Sequence, residues 1–214
     1  MSNRIMVESQ FRDLISKYPS LMLRWERDTG IVEGELSFHA SFNEVIIEDT
    51  YNIRVEIPPT YPNELPVTKE LGKRIPGYFH KNGDDILCLE VYTKILMDFI
   101  KNPTLLFYVE KFVIEYLYGF SYKKKFGNLP YGERPHGISG IVDFYKELFK
   151  VSDTNSILEL LKILTNCIYR GHHLCPCNSV RRLRNCHGEV VKQLLGLNIS
   201  NTFKFDYELL AKKY

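Results

Sequence analysis

Cys175, Cys177, Cys186 and His187 lie within the thirteen residues CPCNSVRRLRNCH. Sulfur and imidazole donors at that spacing can close a tetrahedral zinc site in a segment too short for a core of its own. The expected arrangement is a C-x-C pair on a tight turn, with the second pair supplied at the start of the helix GEVVKQLLGL. Four protein ligands leave no open coordination position, so the zinc is expected to be structural, its binding free energy folding the segment. Arg181, Arg182 and Arg184 stand between the pairs, where they offset thiolate charge. His172 and His173 are spare potential ligands, expected to be exposed neighbours.

Two cysteines lie outside this cluster. Cys167, in LLKILTNCIYR, is expected in a helical core. Cys88, in HKNGDDILCLE, has two readings. Within the apolar run ILCLEV it reads as a small buried hydrophobe. Beside His80, Lys81, Asn82, Asp84, Asp85 and Glu90 it reads as a nucleophile. His80 and Lys81 would favour the thiolate, and Asn82 could donate to a developing oxyanion. Asp84 or Asp85 would orient or deprotonate an incoming amine, or else stand solvated in an exposed loop. His136, with Glu133 and Arg134, forms a polar cluster in a second loop, for which capping and loop structure are the expected roles.

The elements that must position these groups follow from periodicity. Residues 4–17 place Ile5, Phe11, Leu14 and Ile15 near one helical face, and Pro19 ends the pattern. Residues 21–57 alternate, rich in β-branched and aromatic side chains, and read as three strands of an antiparallel meander. PPTYPNELP, with four prolines in nine residues, must turn, and a short fourth strand is expected near 66–71. Residues 75–90 read as an ordered functional loop. Helices are expected over 93–101, over TLLFYVEKFVIEYLYGF, over 138–149 and after a cap at Asp153.

At 214 residues the chain can bury one good core with a small appended unit. The expected division is 1–151 and 152–214. A net charge of +2 with 25% charged and 44% hydrophobic residues is ordinary for a globular chain and selects neither nucleic acid nor membrane as partner. No secretory signal or bilayer-spanning run is read in the sequence, and five cysteines, three of them in the knuckle, fit a reducing compartment, so a cytoplasmic location is expected.

The segment 175–187 resembles the SEC-C motif, a small zinc knuckle of bacterial proteins that serves partner binding; Asn178 and Val180 stand where that motif has glycines. The order of elements over about residues 1–120, with VEIPPTYPNELP and with His80 and Gly83 leading to LCLE, resembles the ubiquitin-conjugating enzyme (UBC-like) family in its divergent prokaryotic branch. The family's His-Pro-Asn stands here as His80-Lys81-Asn82, and the tryptophan usual after the cysteine loop is absent.

The resemblance implies an α+β fold: a UBC-like antiparallel β-meander flanked by helices, then a helical zinc-knuckle unit. It implies that Cys88 takes the C-terminus of a ubiquitin-like modifier as a thioester from an activating enzyme and passes it to an amine of a protein substrate, with His80, Asn82 and Asp85 beside it. Some branch members belong to CBASS-type antiviral operons, which would make a nucleotidyltransferase the substrate. Two further readings stand beside this one. The first is a catalytically silent UBC-like adaptor whose knuckle binds a protein or nucleic-acid partner. The second makes the knuckle itself the recognition element, for RNA or a secretion chaperone.

Overall fold

The computed structural model describes residues 3–81, 83–132, 135 and 137–214, and the chain is α+β. Helix α1 (Asn3–Lys17) leads into β1 (Leu21–Glu26), β2 (Thr29–Phe42), β3 (Val45–Ile57) and β4 (Val67–Glu70), a four-stranded antiparallel sheet in the order β1-β2-β3-β4. Strand β3 shows how the pattern makes the layer. Ile47, Tyr51, Ile53, Val55 and Ile57 are buried on one face, while the alternate residues point outward. The outward face carries ion pairs: Glu33 takes Arg24 at 3.1 Å and Arg54 at 2.9 Å, and Lys69 meets Glu56 at 3.1 Å.

The chain splits into two compact units, 1–90 with 98–133, and 91–97 with 134–214. In the first unit the buried sheet face is covered by α4 (Ile114–Phe126), which follows α3 (Leu105–Tyr108) and a π turn (Val109–Val113), while α3 packs on α1. Tyr51 makes an edge contact with Phe120 at 6.3 Å, and Val109, Val113 and Leu117 are fully enclosed. The proline-rich segment after β3 turns through a cis Tyr61–Pro62 peptide. Gln10 of α1 accepts from the Tyr61 hydroxyl at 2.5 Å and from the Leu105 amide at 3.0 Å, tying that turn to the start of α3.

The second unit is helical. It holds most of α2 (Tyr92–Phe99), with α5 (Gly137–Phe149), α6 (Thr154–Asn166), α7 (Gly188–Gly196) and α8 (Ser200–Ala211). Val142, Tyr145 and Phe149 share one apolar core with Ile157, Leu160, Leu161, Leu164, Cys175, Leu183, Val191, Phe203 and Leu210. The unit boundary therefore differs from the expected 151/152, because α5 buries its apolar stripe against α6 and α8. Asp153 caps α6 as expected, accepting from the Ser156 amide at 2.8 Å.

Cys167 departs from its expected core position. It is exposed, at the left-handed C-cap of α6 with φ 53. Among the described residues no helix is long and apolar enough to cross a membrane.

Candidate functional site

Each unit holds one candidate site. In the first unit, residues 79–81 and 86–88 run antiparallel to each other, and the second of these stretches borders β4. Lys69 bridges Ile86, Lys81 bridges Leu87, the Leu87 amide donates to Thr68 at 2.9 Å, and the Cys88 amide donates to the His80 carbonyl at 2.8 Å. The hairpin tip contains left-handed Asp84 and Asp85 (φ 61 and 60), and His80 sits at φ 44. Cys88 is thus fixed by its backbone, with a half-buried side chain.

The surroundings of the thiol differ from the sequence expectation in charge. Burial, then the nearby Glu90 carboxylate, push the Cys88 thiol above its ordinary pKa, so they favour the protonated form. Lys81 is turned inward, its side chain only 4% exposed, and its ammonium lies 3.1 Å from Asp85 Oδ1. Asp85 is committed to that pair, and its side chain remains 65% exposed. His80 lies with its ring edge-on to Phe79 at 4.6 Å. Asn82, Glu133, Arg134 and His136 lie outside the described residues.

Tyr116 was not singled out by sequence reasoning, which takes the aromatic run FYVEKFVIEYLYGF as packed helix. It reaches from α4 to the hairpin, donating from its hydroxyl to the Phe79 carbonyl at 2.8 Å and the His80 carbonyl at 3.2 Å. Upstream, Arg74 grips Asp49 in a bidentate pair at 2.9 and 3.0 Å and stacks over Tyr51 at 4.1 Å. Ser121 of α4 donates to the same carboxylate at 2.8 Å. Burial works against this carboxylate, yet the hydrogen bonds of Arg74, Ser121 and Thr50 hold its pKa at about 2.

In the second unit, Cys175, Cys177, Cys186 and His187 converge, with their candidate ligand atoms all within 4.8 Å of one another. A short hairpin carries the first pair. Leu174 bridges Arg182, and the Cys175 amide donates to the Arg181 carbonyl at 2.8 Å. Asn178 and Val180 take left-handed conformations in its turn (φ 58 and 60), the geometry that glycine usually supplies. A 3-10 turn (Leu183–Asn185) delivers Cys186 and His187 to the N-terminus of α7, as the spacing predicts.

The donor atoms fit one metal ion. Cys175 Sγ lies 3.1 Å from His187 Nδ1, and Cys186 Sγ lies 3.4 Å from Cys177 Sγ and 3.3 Å from His187 Nδ1. Donors at tetrahedral metal-bond lengths stand ~3.5–3.8 Å apart, so modest expansion closes the shell. His187 Nε2 lies 2.7 Å from the Phe149 carbonyl, an acceptor that fixes the hydrogen on Nε2 and leaves the Nδ1 lone pair for the metal.

Arg181 Nη2 stands 3.4 Å from Cys186 Sγ, in line with the expected offset of thiolate charge. Ser179 Oγ, which sequence reasoning passed over, lies 3.2 Å from Cys177 Sγ and 3.3 Å from Cys186 Sγ. Burial pushes the Cys175 thiol up to about 11, despite backbone amides that favour its thiolate. At Cys177 burial is outweighed by Ser179, Cys175 and Cys186, which hold that thiol at about 6. Metal binding must therefore displace protons held by the cluster. Both His172 and His173 are exposed and stand outside it.

The cluster can hold a metal ion, and the hairpin presents a fixed thiol beside polar side chains. No protein-family model, no curated protein and no solved structure matches this chain.

Proposed function

We propose that the chain is an acyl carrier of the ubiquitin-conjugating type, built on a UBC-like first unit. The observation that carries this reading is the placement of Cys88. Its backbone is bonded to the His80 carbonyl at the edge of an antiparallel meander, after a Tyr-Pro turn, and the residue is only half buried. The Cys88 sulfur attacks the carbonyl of a modifier's C-terminal glycine held as a thioester on an activating enzyme, and that enzyme's thiol leaves. An amine of a protein substrate then attacks the new thioester, and the Cys88 thiol is released. A thioester is weakly resonance-stabilised, so positioning and oxyanion donors supply most of what the step needs.

The metal in the second unit is zinc in a structural role. Three thiolates and one imidazole are its preferred donors, and four protein ligands leave no place for substrate. The knuckle shapes a surface for a protein partner.

The raised pKa of Cys88 favours a second reading, a UBC-like adaptor that carries no acyl group. One experiment separates the two: intact mass with a candidate modifier, its activating enzyme and ATP, before and after reductant. The carrier reading expects a reductant-sensitive adduct that disappears in C88A. An adduct that persists unchanged in C88A rejects it, and failure of any modifier to load supports the adaptor.

A further inference from the structure

We propose that Tyr116 is the positioning residue for Cys88: its hydroxyl, reaching from α4, holds the Phe79 and His80 carbonyls and through the latter sets the Cys88 backbone. The proposal rests on the reading of Cys88 as an acyl carrier for its purpose, while its geometry is tested independently.

The chain of contacts is short. The hydroxyl donates to the Phe79 carbonyl at 2.8 Å and is shared with the His80 carbonyl at 3.2 Å, and that second carbonyl accepts the Cys88 amide at 2.8 Å. His80 occupies a left-handed conformation, φ 44, which a residue with a Cβ adopts only when its surroundings hold it there. An aromatic clamp supplies those surroundings. Phe79 meets the rings of Tyr116 at 5.6 Å, Phe120 at 4.9 Å and His80 at 4.6 Å. The opposite arm is fastened to β4 through Leu87 and Ile86. Cys88 is therefore held from two sides, by the sheet and by one phenol. Tyr116 is 6% exposed, and burial, with Cys88 and Glu70 near it, raises its pKa far above the usual phenol range, so the donor stays protonated at every working pH. One consequence concerns the chemistry. The Cys88 amide is already bonded to His80, so donors to an oxyanion must come from other groups.

The test uses the full chain and iodoacetamide, with alkylation of each cysteine resolved by peptide mass spectrometry from pH 7 to 10. Tyr116→Phe removes only the hydroxyl. Tyr118→Phe is the control, since that hydroxyl also caps a carbonyl, Val45 at 2.9 Å, from the same helix. Loss of one net hydrogen bond should speed Cys88 alkylation about fivefold in Y116F and shift its pH midpoint down toward that of an ordinary thiol. Cys88 in Y118F, and Cys167 in every variant, should not change. A Cys88 rate in Y116F less than about twofold above the unaltered chain, or an equal change in Y118F, overturns the proposal. Hydrogen exchange on the unaltered chain keeps it falsifiable if Y116F fails to fold: the Cys88 amide must be protected, and exchange at the unfolded-chain rate overturns it. An alkylation shift without any thioester retains the positioning role and removes the acyl-carrier reading. A thioester without the shift does the reverse.

Discussion

Asp49→Asn should destabilise the first unit in a pH-dependent way. Asp49 carries the bidentate Arg74 pair and bonds from Ser121 and the Thr50 amide, and these hold its pKa at about 2. Against ~3.9 in an unfolded chain, that depression corresponds to roughly 2.5 kcal/mol at neutral pH. Asp49 keeps 23% and Arg74 35% of their side-chain exposure. Solvent screening therefore reduces the expected loss to about 1–2 kcal/mol. A depressed carboxylate contributes above its unfolded pKa and loses that contribution as pH falls toward the folded value. The gap between D49N and the unaltered chain should thus shrink to about half by pH 3. Urea unfolding followed by fluorescence of Trp25, the only tryptophan and part of β1, reports on this unit. An identical loss at pH 7 and pH 3 would refute the electrostatic argument and leave a packing effect in its place.

Other perturbations test the remaining parts. His187→Ala removes the imidazole donor and its bond to Phe149, and zinc affinity measured against a chromophoric chelator should fall by more than about 100-fold; undiminished affinity would exclude His187 as a ligand. In the second unit, buried Asp206 accepts from the hydroxyls of Thr93 and of Tyr145, the latter at 2.7 Å. D206A removes the acceptor that the Thr93 and Tyr145 hydroxyls share, leaving them only each other, and should cost about 2 kcal/mol, whereas D206N keeps an acceptor and should cost under ~1 kcal/mol, read by helical circular dichroism in urea. Equal losses would show that the hydroxyls gain nothing from the acceptor. Cys88 alkylation should have its midpoint above the ordinary thiol value of ~8.5. With the folded pKa raised, this thiol's contribution to stability is complete below the unfolded pKa and is lost as pH rises through the folded one. A midpoint below ~8 would contradict the buried, Glu90-facing environment.

The sheet was legible because its face alternation is nearly unbroken, and the knuckle because its ligands are local in sequence. Where tertiary contacts override local signals, the sequence reading stops short. Strand β3 begins at Val45, ahead of the run TYNIRVEIP that carries the clearest strand pattern, because Glu48 and Thr50 point outward while Asp49 is taken up by Arg74. Helix α8 has no counterpart in the sequence reading: Asp206 interrupts the stripe formed by Phe203 and Leu210, yet it is buried, with Thr93 and Tyr145 as partners. The unit boundary was missed because a Gly- and Pro-rich loop signals a turn without saying which core the next helix joins. At Cys88, charge in the sequence pointed toward an activated thiolate. The fold instead turns Lys81 to Asp85 and sets Glu90 near the thiol, and neither orientation follows from spacing.

Transfer from a peptide thioester tests the acyl-carrier reading most directly. The full chain is incubated with a short peptide ending in Gly-Gly and activated as a C-terminal thioester, and each cysteine is then mapped by mass spectrometry without reductant. Exposed Cys167 serves as the internal reference for unassisted exchange. Loading of Cys88 faster than Cys167, despite its greater burial, and reversal by thiol, is the predicted result. Loading of Cys167 with none at Cys88 would contradict it.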